Sequence, residues 1–141
     1  MQLADNGFSK EDTALLKPYL EQVQFAPGEY LIRQNEPASD LYFVRIGQVS
    51  TYLELGDGKR VRLQTVTMGT IVGELAFFLG LPRSASVIAD IDTIAYRLSR
   101  QSLETMKLND PELTIAFNEM MLRLVSERLI ATNQELAALN K

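Results

Sequence analysis

Cysteine and histidine are both absent from this sequence of 141 residues. Without cysteine there is neither a disulfide nor a thiolate nucleophile, and we expect a cytoplasmic protein or a cytoplasmic domain of a larger protein. Without histidine, most zinc sites, Ser-His triads and histidine-based acid–base catalysis are excluded. Because no other nucleophile–base pair stands out, we expect no metal, no cofactor and no enzyme activity.

Long hydrophobic runs and an excess of positive charge are also missing. No apolar run approaches the roughly 20 residues of a membrane span, so no membrane segment is predicted in this chain. The net charge of −4 argues against direct nucleic-acid binding by this chain. An anionic ligand would therefore have to be held by local groups. The length fits a single domain, residues 1–141, with a real core.

Short apolar runs separated by turn residues dominate the middle of the chain. Residues 1–22 are assigned to an N-terminal helical segment, because Ser9 to Val23 are amphipathic with Ser9 as N-cap and Pro18 as an interruption. Residues 23–98 read as many short strands, with Asp57-Gly58 suited to a hairpin turn. The pattern predicts a mainly β fold with flanking helices, a small barrel or jelly roll, although it also fits a generic β-sandwich. The predicted strands are 30–32, 41–44, 49–55, 61–66, 87–89 and 93–98.

Helical periodicity returns in residues 99–141. Ser99 is a helix cap, and Asp110-Pro111 begins a longer helix. Apolar residues along this helix follow an a/d heptad spacing that predicts a homodimer through paired helices. The alternative is a surface helix that packs on its own barrel. The seam positions are Leu122, Val125, Leu129, Thr132, Leu136 and Leu139.

Residues 72–87 form a cassette with the most specific pattern of the chain, VGELAFFLGLPRSASV. Gly73 frees backbone N–H groups for an anion, and a short helix that starts after it would direct its positive end to the same place. Arg83 offers a planar fork for a phosphate, and Ser84 adds a hydroxyl donor. Glu74 can accept a hydrogen bond from a sugar hydroxyl. The alternative is a plain ion pair between Arg83 and Glu74. The apolar Phe77 and Phe78 between these groups are expected in the core.

This pattern resembles that of the cyclic nucleotide-binding domain family, found in the bacterial catabolite activator protein and the regulatory subunits of protein kinase A. The family's cassette looks like F-G-E-L-A, five residues, then P-R-[AST]-A-[ST]-V, and only Val72 departs from it. The segment 25–32 and Gly47 also match family elements. The resemblance covers about Phe8 to Leu139. It implies a β jelly roll, or double-stranded β-helix, with short N-terminal helices and a long C-terminal helix.

The resemblance implies a role for each matching residue. Arg83 would pair with the cyclic phosphate and Glu74 would accept the ribose 2′-hydroxyl. The C-terminal helix would form a lid over the base, where Thr132 either contacts adenine or sets the dimer register, and Asn133 stands where the activator protein has a serine. Gln64 faces either the base or solvent. The implied ligand-binding residues are Leu63, Val66, Val72, Gly73, Glu74, Leu75, Ala76, Arg83, Ser84, Ala85, Arg128, Thr132 and Asn133.

Within the family, threonine after the arginine tends to accompany cGMP, whereas alanine or serine looks like cAMP receptors. Ser84 therefore favours cAMP, with cGMP as the second possibility. The resemblance implies a regulatory domain that signals through its C-terminal helix to an effector outside this chain, in a transcription regulator or a transporter. The competing hypothesis is a dimerisation module of the same fold that binds no ligand.

Overall fold

The computed structural model describes residues 7–67 and 69–140. Helix α1 spans Lys10–Leu16 and begins with a capping box. The Ser9 Oγ accepts from the Asp12 N–H at 3.0 Å, and the Ser9 N–H donates to the Asp12 carboxylate at 3.3 Å. A single 3-10 turn, Lys17–Tyr19, follows at Pro18. Residues 1–6 of the predicted helical segment 1–22 lie outside the described residues.

The predicted helix from Ser9 to Val23 is wrong in its second half. Strand β1 begins at Glu21, and Val23 pairs with Ala95 on another strand. Pro18 lacks an N–H and therefore ends the α-helical hydrogen bonding, as expected, but the chain then extends rather than resuming a helix. The boundary placed between residues 22 and 23 consequently falls inside a strand.

Within the described residues, eight antiparallel strands form two four-stranded sheets, which confirms the jelly roll. One sheet has the order β1-β8-β3-β6 and the other β2-β7-β4-β5. A short helix, α2 (Glu74–Leu79), follows β6. The strands are β1 Glu21–Phe25, β2 Tyr30–Ile32, β3 Asp40–Ile46, β4 Gln48–Gly56, β5 Lys59–Thr67, β6 Ile71–Val72, β7 Ser86–Ala89 and β8 Thr93–Ser99.

Asp57 and Gly58 make the turn between β4 and β5, as predicted. Their φ angles are +53° and +74°, and Gly56 pairs with Lys59 on either side of them. Two consecutive positive φ angles match the twist of the flanking strands, which is why this dipeptide closes the hairpin.

Strand β3 separates two hydrophobic clusters. Tyr42 and Val44 point into the barrel, whereas Leu41 and Phe43 pack against the helices on the other side. Successive side chains of a strand point to opposite faces, so burial on both faces explains why residues 41–44 of β3 are continuously apolar. The barrel interior therefore stays available for the site, while the helices cover the outside of the sheet.

Two helices complete the chain, α3 (Arg100–Asn109) and α4 (Pro111–Leu139). Ser99 caps α3 by accepting from the Ser102 N–H at 3.1 Å, and Pro111 opens α4, both as predicted. The first half of α4 packs on the barrel. Beyond Ile130, every described side chain of α4 is exposed. Among the described residues, no helix has both the length and the apolar character to cross a bilayer.

Candidate functional site

The site is organised by Gly73, which caps α2 with a φ of +81°. A Cβ on this residue would lie 2.5 Å from the Ile32 Cδ1 and 2.7 Å from the Arg83 Nη1. Both the positive φ and this close approach require glycine. The main chain of the cassette can therefore lie against the arginine.

A cavity of about 180 Å³ opens beside Gly73, between the cassette, strands β4 and β5, and α4. Its walls mix apolar side chains from the barrel with a few charged and hydroxyl groups. The predicted site residues that line it are Val66, Val72, Gly73, Glu74, Leu75, Ala76, Arg83, Ser84, Ala85 and Arg128. The structure thus brings ten of the thirteen predicted residues together around one space.

Leu63, Thr132 and Asn133 lie outside this lining. The bulge between Thr51 and Tyr52 shifts the register of β5 near Leu63, whose side chain is 55% exposed. Thr132 and Asn133 are exposed on α4, one turn beyond Arg128. A lid over the base from these two residues is therefore not formed in this structure.

Several lining residues were absent from the prediction. Gln64 lines the cavity while remaining exposed to solvent, and Ile32, Thr51, Ile71 and Val87 line it as well. Alternation along β5 was the available signal, because Gln64 and Val66 are two residues apart on one face. The positions on β2 and β4 carry no such signal, since only the sheet topology brings them to the cavity.

Arg83 is 5% exposed, and three acceptors orient its guanidinium. Nη1 donates to the main-chain oxygen of Gly73 at 2.6 Å. Nη2 donates to the main-chain oxygen of Asp40 and, at 2.9 Å, to its carboxylate. Burial lowers the pKa of the Arg83 guanidinium, which nonetheless remains a cation because arginine does not lose its proton in proteins. Arg83 also lines the cavity, and among the described residues no other acceptor is bonded to its guanidinium.

Asp40 is the partner of Arg83 that sequence reasoning missed. It begins β3, and its carboxylate also lies 3.8 Å from the guanidinium of Arg97. Burial raises the pKa of the Asp40 carboxyl, although Arg83 and Arg97 act in the opposite direction. A second, polar cavity of about 230 Å³ lies between Asp40 and the β2–β3 turn. No local motif marks Asp40, because it is 43 residues from Arg83.

Glu74 is 7% exposed and pairs with Arg128 of α4. The Arg128 Nη1 lies 2.5 Å from the Glu74 Oε1, while Nη2 donates to the hydroxyl of Thr70 and to the Ile71 carbonyl at 2.6 Å. Arg83 and Glu74 thus each have a different partner, so the alternative of a plain ion pair between them is not what this structure contains. Arg128 instead connects the long helix to the cassette.

Phe78 departs from the expected core placement. Phe77 is fully buried, but Phe78 is 43% exposed. It lies in an apolar groove of about 400 Å³ between α2 and α4, whose walls also include Leu75, Leu79, Leu122 and Val125.

The sequence model of the cyclic nucleotide-binding domain family matches residues 22–110, which is more than half of the chain. The chain belongs to this family. The match covers the barrel, the cassette and α3, and it ends as α4 begins. The cavity beside Arg83 and Glu74 is accordingly the candidate nucleotide site of a cyclic nucleotide-binding domain.

Two curated relatives that the chain resembles carry different names, and the chain covers only part of each. The chain is 29% identical over 133 residues to a CRP-like cAMP-activated global transcriptional regulator of Mycobacterium tuberculosis, covering 94% of this chain and 58% of the relative. It is 31% identical over 127 residues to Glutaminase 1 of Bradyrhizobium diazoefficiens, covering 90% of this chain and 20% of that protein. The chain thus spans little more than half of one relative and a fifth of the other.

A solved cyclic nucleotide-binding domain from Methylobacillus flagellatus superposes with a TM-score of 0.84 at 25% identity. The alignment covers 93% of this chain and 74% of that one. The jelly roll and its flanking helices are therefore those of a cyclic nucleotide-binding domain.

Among the described residues, no group of three or more acidic, cysteine or histidine side chains is arranged to hold a metal ion. The cavity instead offers one buried cation, one buried carboxylate and the hydroxyl of Ser84. These groups can bind an anion next to a hydroxylated ring, which requires charge and hydrogen bonds rather than bond-breaking chemistry.

Proposed function

We propose that this domain is a cAMP-binding regulatory module. The observation that carries the proposal is that two buried, oppositely charged side chains, Arg83 and Glu74, face one cavity. Arg83 would bind the cyclic phosphate with help from Ser84 and nearby N–H groups. Glu74 would accept the ribose 2′-hydroxyl, and Val66 and Val72 would contact the sugar and base. No cofactor or catalytic step is involved.

Ser84 supports cAMP over cGMP, as the family pattern implies, and the name of the Mycobacterium tuberculosis relative, a cAMP-activated regulator, points the same way. The direct comparison is calorimetry of both nucleotides with the unmodified chain. We expect tighter binding of cAMP. A Ser84→Thr variant should bind cGMP better than the unmodified chain does, and tighter cGMP binding by the unmodified chain would contradict the preference.

The signal would leave the site through α4. Arg128 already joins this helix to Glu74, Thr70 and Ile71, so a ligand that competes for Glu74 would act on the helix directly. A ligand shifts such an equilibrium only by its differential affinity for the two helix positions. The effector would lie outside this chain, in a transcription regulator, a transporter or an enzyme such as the glutaminase relative. The absence of cysteine supports a cytoplasmic setting.

Two copies of the domain would pair through α4. The seam residues Leu122 and Leu129 are 68% and 60% exposed, and Leu139 is 81% exposed. Leucines at a and d positions that do not contact their own barrel are typically buried against a second helix in a coiled coil. The groove beside α2 extends this apolar surface toward the cassette.

The binding experiment is calorimetry of cAMP with the unmodified chain and Arg83→Ala. Losing hydrogen bonds to a charged group costs about 1.5–3 kcal/mol, so the variant should bind roughly 10- to 150-fold more weakly. Arg45→Ala is the control, because it removes the same charge from an exposed position of β3. Equal loss in both variants would contradict the assignment of Arg83. If the unmodified chain binds neither nucleotide at millimolar concentration, the ligand-free dimerisation module is favoured instead.

A further inference from the structure

Ser86 belongs to the cassette pattern but does not line the cavity. Its side chain is fully buried. The Ser86 Oγ donates to the Glu54 Oε2 at 2.7 Å and accepts from the main-chain N–H of Gln34 at 2.9 Å. The hydroxyl therefore joins β4 to the turn after β2 instead of contacting a ligand.

Glu54 is held by both of its carboxylate oxygens and by its main chain. Oε1 accepts from the hydroxyl of Tyr30 at 2.9 Å. The Glu54 N–H donates to the Gln34 Oε1 at 2.7 Å, and the Glu54 carbonyl accepts from the Gln34 Nε2 at 3.0 Å. The hydrogen bonds from Ser86 and Tyr30 lower the pKa of Glu54, so the carboxylate is ionised at neutral pH. The carboxylate thus joins β4 to Tyr30 of β2 and Ser86 of β7, while the main chain of Glu54 holds the Gln34 side chain.

The 33–36 turn, which contains Gln34, both donates a hydrogen bond to the main chain of Arg83 and accepts one from it. The Asn35 N–H donates to the Arg83 carbonyl at 2.8 Å, and the Arg83 N–H donates to the Glu36 carbonyl at 2.9 Å. Gln34 is adjacent to Asn35 in the chain, so the Glu54 network ends one residue from the contacts that place Arg83. A displacement of this turn would move the Arg83 Cα relative to the cavity.

We propose that Glu54 is a positioning residue for the anion site: its carboxylate holds the Ser86 hydroxyl, which in turn holds the Gln34 N–H of the 33–36 turn that places Arg83. The role is indirect, since Glu54 does not line the cavity. It rests on the proposed function insofar as the anion is a cyclic nucleotide. Both carboxylate oxygens accept from hydroxyl donors, and in Glu54→Gln an amide nitrogen, which is not an acceptor, replaces one of them.

The test compares Glu54→Gln with the unmodified chain in two measurements. Calorimetry gives the cAMP dissociation constant, and amide hydrogen exchange without nucleotide reports the Asn35 and Arg83 N–H groups. Networks of this kind change affinity by about 2- to 30-fold, and we expect Glu54→Gln to weaken binding within that range. We also expect faster exchange at both amides. Glu119→Gln, which removes the same charge at an exposed position of α4, should change neither quantity.

Ser86→Ala supplies a second variant that removes the hydroxyl and leaves Glu54 in place. We expect it to reproduce both effects, and the double variant should lose less affinity than the two single losses combined. A cAMP dissociation constant for Glu54→Gln within twofold of the unmodified chain would overturn the proposal. So would weakened binding with unchanged exchange at Asn35 and Arg83.

Failure of the proposed cyclic nucleotide binding can be distinguished from failure of the positioning role of Glu54. If the unmodified chain binds no cyclic nucleotide, that function fails, while the exchange measurement still decides the role of Glu54. Faster exchange at Asn35 and Arg83 in Glu54→Gln would support the positioning of Arg83, and unchanged exchange would overturn it.

Discussion

The Arg128 Nη1 lies 2.5 Å from the Glu74 Oε1, so the long helix and the cassette are joined at the carboxylate expected to accept a ribose hydroxyl. The Glu74 side chain is 9% exposed and that of Arg128 is 31% exposed. A buried carboxylate needs a partner, and in this structure the partner comes from α4. A ligand that hydrogen-bonds to the Glu74 carboxylate would therefore compete with Arg128 for it.

Replacing Arg128 by glutamine should destabilise the domain. Glu74 would remain buried without its cation, at a cost of about 1–2 kcal/mol because Arg128 is partly exposed. Urea denaturation measures the change in the free energy of unfolding. Arg123→Gln, an exposed charge on the same helix, should have little effect. The double variant with Glu74→Gln should recover part of the loss, and strictly additive losses would refute the pairing.

Gly73→Ala should lower both stability and cAMP affinity. The added Cβ would meet the Ile32 Cδ1 and the Arg83 Nη1 at less than 3.0 Å, in a conformation with φ of +81°. Gly28→Ala is the matched control, because Gly28 has a φ of +87° and nothing within 4 Å of the same position. The control should lose about 1 kcal/mol from the backbone alone and keep its affinity. Thermal unfolding and calorimetry separate the two effects, and equal behaviour of both variants would contradict a close approach at Gly73.

Asp40→Asn should strengthen cAMP binding by about threefold, since the amide keeps an acceptor for Arg83 but no longer offsets its charge. The unmodified chain should approach the same affinity as the pH falls. Burial raises the pKa of Asp40, so its carboxyl gains a proton at a higher pH than a free aspartate. Calorimetry at a series of pH values from neutral down toward about 3.9, the pKa of a free aspartate, checks this. Weaker binding by Asp40→Asn would show that orientation of Arg83 outweighs charge.

Leu129→Asn should convert a dimer to a monomer. Leu129 is an a-position residue of the seam and 60% exposed, so the substitution would place an amide in the middle of the helix pair. Ile130→Asn is the control, because Ile130 is 58% exposed but lies off the seam. Sedimentation equilibrium gives the mass of each variant. A monomeric unmodified chain, or a dimer that survives Leu129→Asn, would refute pairing through α4.

Much of the fold could be predicted because its signals are local. Ser9 and Ser99 cap helices, Asp57-Gly58 closes a hairpin and Pro111 opens α4, and each depends on residues a few positions away. Strand β1 was partly misread as helix, because its sequence alternates weakly and only pairing with β8 stabilises it. Strand β6 has two residues, too few for a period to be visible.

The candidate site likewise has one part that local sequence predicts and another that depends on distant segments. Gly73, Glu74, Arg83 and Ser84 could be singled out from sequence because they are consecutive or nearly so within a single cassette. Residue type and spacing alone determined that this cassette offers a cation, a carboxylate and a tight turn.

Only the tertiary structure decided what those groups contact. Asp40 reaches Arg83 across 43 residues and Arg128 reaches Glu74 across 54, which no local pattern encodes. The fold also left Leu63, Thr132 and Asn133 away from the cavity, since a bulge and the exposed end of a helix determine where they lie. The sequence alone thus determined which chemical groups the cassette carries, whereas packing of distant segments decided their partners, because burial makes each charge depend on whatever lies beside it.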